Sequence, residues 1–369
     1  MMDGYQFNST KKYSEEEAMR LTLALAKQKK GETSPNPMTA AVILKDQKII
    51  SIGIHEKKGT PHAEAIAIKS AGKKAKGATI IVNLEPCTHQ GDNPPCVSLI
   101  IKAGLVRVVY AMDDPNPKVR KLPAKEILSK NNIAVVLGVL KKEALELNEV
   151  FVKNIRTQKP FVTLKVGISM DAKIGGTNIG YITSEAAQKR VHEIRYENTA
   201  ILVGVDTILH DNPQLNIRGT KEKSILKIVL DSKLRTPLDS QIFDTDRVVI
   251  FTDKTTPKKQ VQLYSDKAQV IGVEATKKGL SWPSILEKLY AIEVYSVLIE
   301  GGARVIQTAL NEGIIDKVIF HIEPKMLGEQ ETVSLLPCDT FDLHLILENL
   351  QNIRSSKKGR TTELVGYLK

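Results

Sequence analysis

Four side chains within a stretch of the chain before residue 100 could share one reaction centre. They are His62 and Glu64 in Gly59-Thr60-Pro61-His62-Ala63-Glu64, Cys87 in Leu84-Glu85-Pro86-Cys87, and Cys96 in Pro94-Pro95-Cys96. One imidazole and two thiolates fill three positions of a tetrahedral zinc ion, which in catalytic sites keeps the fourth for water. The Glu64 carboxylate is not needed as a ligand. It can take a proton from that water and later return it to a leaving amine. His-x-Glu followed by Pro-Cys is the order found in zinc deaminases, although they place Cys-x-x-Cys where this chain has eight residues between Cys87 and Cys96. The alternative is a purely structural zinc site with His89 as fourth ligand, which leaves Glu64 without a role.

Local signals place these groups at helix starts. Thr60-Pro61 is expected to open a helix continuing through Ala63 to Ile68, since proline suits the first helical position. His62 then sits in the first turn, where the positive end of the helix dipole disfavours the imidazolium and keeps the ring free for a metal. Pro94-Pro95 precede an apolar run from Val97 to Leu105, punctuated by Gly104, so Cys96 falls where a thiolate is favoured.

The chain has 369 residues, room for two or three domains of roughly 100–200 residues each. Three cysteines are too few for a disulfide framework, and Cys338 is expected to be a structural thiol. The N-terminus is polar, and no apolar run approaches the roughly 18 residues that would suggest a membrane span. A soluble, cytoplasmic protein is therefore expected, with no membrane partner. The formal net charge is +11. Nucleic acid is one reading of that charge, but the lysines are scattered and aromatic residues make up only 5% of the chain. Single-strand binders stack bases on aromatic platforms, so a solvated basic surface and no nucleic-acid partner are expected.

Taken in order, Ser14-Glu15-Glu16-Glu17 reads as a capping box opening a helix to about Lys29. Strands at Thr39 to Leu44 and Lys48 to Gly53 form a hairpin about Asp46-Gln47. Strands follow at Ala78 to Leu84, Arg107 to Ala111 and Ala134 to Leu137, with helices at Ala124 to Ser129 and Glu143 to Arg156. Gln158-Lys159-Pro160 marks a boundary, giving domains 1–157 and 158–369. The second begins with a strand at Phe161 to Ile168 and a glycine-rich loop from Asp171 to Gly180. Ser184 caps a helix to about Tyr196. Then come a strand at Ala200 to Val205, a polar loop from Asp206 to Asn216, and strands at Lys227 to Leu230, Arg247 to Phe251 and Gln269 to Val273. Val294 to Ile299 is a strand running into Glu300-Gly301-Gly302 and a helix to about Asn311. Lys317 to Ile322 is a last core strand. Strands alternating with helices indicate an α/β class in both halves, with a mixed sheet in the second. At the Glu300-Gly301-Gly302 junction, glycine lets a ligand approach the backbone and the helix start offers free N–H groups to phosphate.

Several motifs resemble the bifunctional riboflavin-biosynthesis deaminase/reductase family. In the first half they are Thr33-Ser34-Pro35-Asn36-Pro37-Met38, Pro61-His62-Ala63-Glu64, the long loop from Leu84 to Cys96 ending Pro-Pro-Cys, and Asp114-Pro115-Asn116-Pro117. In the second they are Thr163-Leu164-Lys165, Ser169-Met170-Asp171, Tyr181-Ile182-Thr183-Ser184, Asp211-Asn212-Pro213-Gln214-Leu215, Asp231-Ser232 and Glu300-Gly301-Gly302. The resemblance implies a cytidine-deaminase-like three-layer N-terminal domain and a dihydrofolate-reductase-like C-terminal domain. It implies zinc on His62, Cys87 and Cys96, with Glu64 as proton shuttle. A diaminopyrimidinone carrying a phosphoribosylamino arm would lose its 2-amino group, and NADPH would then reduce the ribosyl arm to ribityl.

By the same resemblance the nucleotide cofactor would touch Gly167, Tyr181, Thr207, Asp211, Ser232 and the turn Gly302, Ala303, Arg304, Val305 and Ile306. The substrate would meet Asn36 in the first domain and Arg195, Leu215, Arg218 and Glu300 in the second, where the two guanidinium groups suit a phosphate. Lys165, Asp211 and Glu300 are all candidates for the proton donor in the reduction. A homo-oligomer is expected. The chain departs from the family pattern in having Thr39-Ala40 for Val-Gly, Asp171-Ala172 for Asp-Gly, Asn93 for Thr and Ile179 for Ser, and in lacking Gly-x-Gly around Val119 to Lys121. These changes raise the alternative of a deaminase whose reductase half is inactive or repurposed.

Overall fold

The computed structural model describes residues 11–90, 93–176, 180–219, 223–244, 247–277, 279–328, 332–335 and 348–368. Cys338, Ile179 and the Gly91-Asp92 pair lie outside them. The chain divides into two units, Met1–Thr157 and Gln158–Lys369.

The first unit runs α1 (Glu15–Lys27), β1 (Ala40–Lys45), β2 (Lys48–Ile54), α2 (Ala63–Ala71), β3 (Thr79–Leu84), α3 (Cys96–Lys102), β4 (Arg107–Met112), α4 (Pro117–Arg120), α5 (Ala124–Lys130), β5 (Ala134–Leu137), α6 (Lys141–Leu147) and α7 (Glu149–Thr157). The capping box forms as the residue types demand: Ser14 Oγ accepts from Glu17 N at 3.1 Å, and the Glu17 carboxylate accepts from Ser14 N at 2.8 Å. Asp46 and Gln47 both take positive φ at the hairpin turn, the twist that two-residue hairpins require. The sheet order is β2-β1-β3-β4-β5. Its first two pairings are antiparallel and its last two parallel.

Side chains alternate across this sheet with period two. Ala41, Ile43, Ile80, Val82, Val108 and Tyr110 pack with α2, α3 and α5. Ala40, Val42, Leu44, Ile81, Val109 and Ala111 pack with α1 and α6 on the other face. The result is three layers. The expected single helix from Glu143 to Arg156 is instead two, interrupted at Asn148. That side chain is used elsewhere: it accepts from Met38 N at 2.8 Å and donates to Met38 O at 3.1 Å.

The second unit runs β6 (Phe161–Ser169), β7 (Lys173–Gly176), α8 (Glu185–Glu197), β8 (Ala200–Gly204), α9 (Val205–Asp211), β9 (Leu226–Leu230), β10 (Val248–Asp253), α10 (Lys258–Gln262), β11 (Gln269–Val273), β12 (Ala275–Thr276), β13 (Gly279–Leu280), α11 (Trp282–Ala291), β14 (Ser296–Ile299), α12 (Ala303–Asn311), β15 (Lys317–Glu323), β16 (Thr332–Ser334), β17 (Gln351–Lys358) and β18 (Thr361–Tyr367). Nine strands form one sheet in the order β11-β10-β9-β8-β14-β6-β15-β18-β17. It is parallel from β11 to β15 and antiparallel at β15-β18-β17. A mixed sheet results, as expected.

Two expectations need correction here. The supposed polar loop from Asp206 begins as helix α9, because Val205 and Ile208 turn inward as an apolar face. Ser184 stands at the N-cap of α8, but its hydroxyl donates to Lys358 O at 2.6 Å and makes no cap bond. Among the described residues no helix is long and apolar enough to cross a membrane.

Candidate active sites

In the first unit, α2 lies directly on β2 because Gly53 has no side chain. A Cβ there would stand 2.1 Å from Ala63 O and 2.6 Å from Ala67 N. The helix begins at Ala63, so His62 is the N-cap, with φ −69° and ψ 157°, and is not in the first turn as expected. Pro61 precedes the cap and leaves the helix start to Ala63. Cys87 follows β3 and Pro86. Cys96 opens α3, with Pro95 as its cap.

The three sites converge. His62 Nδ1 lies 3.3 Å from Cys96 Sγ and 3.5 Å from Cys87 Sγ, and the Cys96 N–H points at Cys87 Sγ from 3.3 Å. All three ligand atoms lie within 4.8 Å of one another. A tetrahedral zinc with bonds of about 2.0 Å to nitrogen and about 2.3 Å to sulfur has an N-to-S edge of about 3.5 Å. The donor set therefore fits zinc in both chemistry and spacing. His89 is not part of this cluster, which leaves three protein ligands, the number of a catalytic site.

The electrostatics divide the three candidate ligands. The hydrogen bond to Cys87 and burial push the Cys96 thiol well up, and the hydrogen bond to Cys87 raises the His62 imidazole. Both run against the expectation of a favoured thiolate and a disfavoured imidazolium, and Cys87 alone is pulled down. The hydrogen bond from the Cys96 thiol, with help from His62, pulls the Cys87 thiol well below its usual range against the effect of burial. Glu64 is only 5% exposed. Burial, and then the Cys87 charge, push its carboxyl up, and it contacts the Cys96 thiol. It is a carboxyl that can hold a proton next to the metal ligands.

Several buried polar residues outside the candidate ligand and shuttle set brace the loops around the cluster. Asn83 accepts from Ala40 N at 2.9 Å and donates to Met38 O at 2.8 Å, so that with Asn148 it grips the Asn36-Pro37-Met38 loop. Glu85 accepts from Asp114 N at 3.1 Å and Ala124 N at 2.8 Å, tying the Asp114 loop to the Cys87 strand. Burial pushes the Asp114 carboxyl up to about 7. His55, 2% exposed, contacts Asn36 and Pro61. A buried polar side chain flanking a motif was the only available signal, and sequence alone does not show burial. Asn93, the departure from threonine, donates to Thr60 O at 3.1 Å and ties the Cys-to-Cys loop to the His62 loop.

The second unit holds a cleft of about 1700 Å³. Its walls include every residue named above for the cofactor, Gly167, Tyr181, Thr207, Asp211, Ser232, Gly302, Ala303, Arg304, Val305 and Ile306, and also Lys165, Arg195, Leu215, Arg218 and Glu300. The cleft depends on close backbone approach. Gly302 caps α12 with φ 82°, and a Cβ on Gly204 would meet Val305 Cγ2 at 2.8 Å.

The two arginines differ. Arg195 forms a bidentate pair with Glu300, 2.8 and 2.7 Å, and donates to Asn216 O at 2.8 Å. Arg218 is exposed, and its guanidinium donates to the Gln214 amide at 2.9 Å. Burial raises the Glu300 carboxyl, but Arg195 outweighs it and keeps the carboxylate charged. Burial lowers the Lys165 ammonium. Leu215 is 5% exposed and has φ 53°, so its side chain belongs to the core beneath the cleft. Ala172 adopts φ 56°, the left-handed region that glycine would occupy freely. The turn survives because the Asp171 carboxylate accepts from Ser169 Oγ at 2.6 Å, Leu327 N at 3.1 Å and Gly328 N at 2.8 Å.

Comparison with known proteins matches this division. Residues 12–112 match the cytidine and deoxycytidylate deaminase zinc-binding region, and residues 160–356 match the RibD C-terminal domain. The chain is 42% identical over 318 residues to the riboflavin biosynthesis protein RibD of Aquifex aeolicus, covering 84% of this chain and 87% of that protein. It is 35% identical over 363 residues to the RibD protein of Bacillus amyloliquefaciens, covering 96% of each. Among solved structures, the diaminohydroxyphosphoribosylaminopyrimidine deaminase/5-amino-6-(5-phosphoribosylamino)uracil reductase of Thermotoga maritima gives a TM-score of 0.84 at 32% identity, covering 96% of this chain and 99% of that one. A zinc-binding deaminase region and an NADPH-dependent reductase domain thus follow one another in a single polypeptide, and the chain belongs to the RibD family of bifunctional riboflavin-biosynthesis enzymes, acting as both hydrolase and oxidoreductase.

Proposed function

We propose that residues 1–157 remove the 2-amino group of 2,5-diamino-6-(5-phosphoribosylamino)pyrimidin-4-one by hydrolysis, and that residues 158–369 reduce the ribosyl arm of the resulting aminouracil to ribityl. The observation that carries the reading is the meeting of His62, Cys87 and Cys96 about one point with the Glu64 carboxyl against them.

His62, Cys87 and Cys96 hold the zinc, which when bound makes a water acidic enough to ionise near neutral pH. Glu64 takes the proton from the attacking water and passes it to the departing amine. The raised affinity of its buried carboxyl for a proton suits both transfers. Asn36 contacts the pyrimidine.

NADPH supplies the hydride in the second unit. Gly167, Tyr181, Thr207, Asp211, Ser232 and the Gly302 to Ile306 turn bind it, the last through free N–H groups at the start of α12. Arg218 takes the substrate phosphate, its guanidinium being exposed and engaged only by an amide among the described residues. Arg195 holds Glu300, and Leu215 shapes the pocket floor. Of the three proton-donor candidates Lys165 is best placed. Glu300 is kept ionised by Arg195, Asp211 is exposed at the end of α9, and Lys165 is a cation made more acidic by burial.

The enzyme works in the cytoplasm without nucleic-acid or membrane partners, in keeping with its few aromatic residues and scattered charge. A homo-oligomer is supported by the exposed strand β17, which stands at the end of the sheet with one strand neighbour, β18, among the described residues. The test is direct: zinc-loaded protein with the diaminopyrimidinone nucleotide and NADPH releases ammonia and consumes NADPH. Absence of ammonia release overturns the first assignment, and absence of NADPH consumption on supplied aminouracil nucleotide overturns the second.

A further inference from the structure

His55 follows β2 and is buried beside the metal ligands without being one. Its backbone N–H donates to Thr39 O at 3.0 Å. Its ring meets the His62 ring edge-on, with centroids 5.8 Å apart and planes at 88°. Nδ1 lies 3.1 Å from Pro61 O, and Nε2 lies 3.1 Å from Asn36 Nδ2.

These two contacts fix polarity in sequence. A carbonyl oxygen only accepts, so Nδ1 must carry the ring proton. Nε2 faces Asn36 Nδ2, an amide nitrogen that only donates, so Nε2 is the acceptor of that pair. Asn36 thus spends its NH2 on His55. Its Oδ1 is left over, with no hydrogen-bond partner among the described residues. The loop around Asn36 is itself held, since Met38 N and Met38 O are gripped by Asn148 and Asn83. The amide thus has a fixed position and a fixed orientation.

We infer that His55 is a positioning residue that relays the polarity of the Pro61 carbonyl to Asn36, so that Asn36 presents an acceptor oxygen to the substrate. That end selects a ring edge bearing N–H donors, such as the amino and lactam N–H groups of a 2-amino-4-oxopyrimidine. The inference rests on the proposed contact between Asn36 and the pyrimidine. His55 is outside the candidate ligand set and acts through Asn36.

The test uses the full zinc-loaded chain and the diaminopyrimidinone nucleotide, with ammonia release, zinc content and NADPH oxidation all measured. His55→Leu removes both hydrogen bonds and is expected to lower kcat/KM for deamination about tenfold, chiefly through KM, with zinc content and NADPH oxidation unchanged. His55→Gln keeps an acceptor for Asn36 and a donor for Pro61, and is expected to recover to within about threefold of wild type. Asn36→Asp retains acceptor oxygens but has no donor for Nε2, so it loses activity as Asn36→Ala does, a result that does not depend on altering His55. In the double variant, His55→Leu adds nothing to Asn36→Ala. Additive losses, His55→Gln no better than His55→Leu, full activity in Asn36→Asp, or loss of zinc in His55→Leu would each overturn the relay while leaving the Asn36 contact standing. Unchanged kcat/KM in Asn36→Ala removes the contact and the relay together.

Discussion

The two reaction centres are built on opposite plans. In the first unit three ligand atoms lie within 4.8 Å of one another, behind a buried carboxyl, on loops pinned by buried asparagine and glutamate side chains. In the second a 1700 Å³ cleft is lined by residues drawn from many strands and helices, and glycines in its lining let neighbouring side chains pack closely, Val305 on Gly204 and Thr207 on Gly301. A metal demands a few donors at fixed distances, so each is indispensable. A long nucleotide is held by many weak contacts, so the cleft should degrade gradually, except at the proton donor.

The sharpest way to break that contrast is at Glu64. Glu64→Gln should cut ammonia release about a hundred- to ten-thousandfold with zinc retained, and Cys87→Ser should lose the zinc itself. Both should leave NADPH oxidation on supplied aminouracil nucleotide at the wild-type rate. Metal analysis beside the two assays decides it, and a partial loss in both assays would contradict separate centres. In the cleft the largest effect is expected at Lys165: Lys165→Met should slow NADPH oxidation about a hundredfold, with deamination untouched. Equal activity would return the role to Asp211 or Glu300.

A smaller effect tests the backbone plan. Gly204→Ala places a methyl 2.8 Å from Val305 Cγ2. Overpacking of this kind costs about 1–3 kcal/mol, read as a raised KM for NADPH and a lower melting temperature of the second unit. Val305→Ala added to that variant should restore much of the loss.

Acid should distinguish the units as well. Glu363 accepts from His321 Nε2 at 3.1 Å and Arg190 Nε at 3.3 Å. Burial pushes its carboxyl up, but those partners outweigh burial and hold it at about 2. Burial also pulls His321 below its ordinary value. Unfolded values are about 6.5 for histidine and about 4.3 for glutamate. Both groups therefore stabilise the fold fully above about pH 6.5. The His321 share fades below that, and the Glu363 share between about pH 4 and about pH 2. Thermal melts across that range check it, and Glu363→Gln should flatten the lower limb. Least of all, Ala172→Gly should relieve the positive φ and stabilise the second unit by about 0.5–1 kcal/mol, a rise of a few degrees or less in Tm. No gain would mean that the turn tolerates alanine without strain.

Much of this was legible in the chain because it is local. The Ser14 capping box, the Asp46-Gln47 hairpin and the helix start at Cys96 depend on neighbouring residue types, and the strand runs of both units follow apolar patterning. The exact start of α2 was not legible, since nothing local separates a proline at the first helical position from one before the cap. Nor was the break at Asn148, whose side chain bonds Met38, 110 residues away in sequence. The polar, exposed strand β17 carries no apolar signal and is defined only by its pairing with β18.

The order of residue types by itself named the candidate metal donors, the candidate proton shuttle and the α/β class, because ligand chemistry and hydrophobic period are written in side-chain identity. Only the tertiary structure decided which of two similar arginines is already engaged, which buried polar groups brace the Asn36 loop, and which end of that amide is free. Those answers depend on what stands opposite a group in space, and such partners are separated along the chain by spans that no local rule crosses.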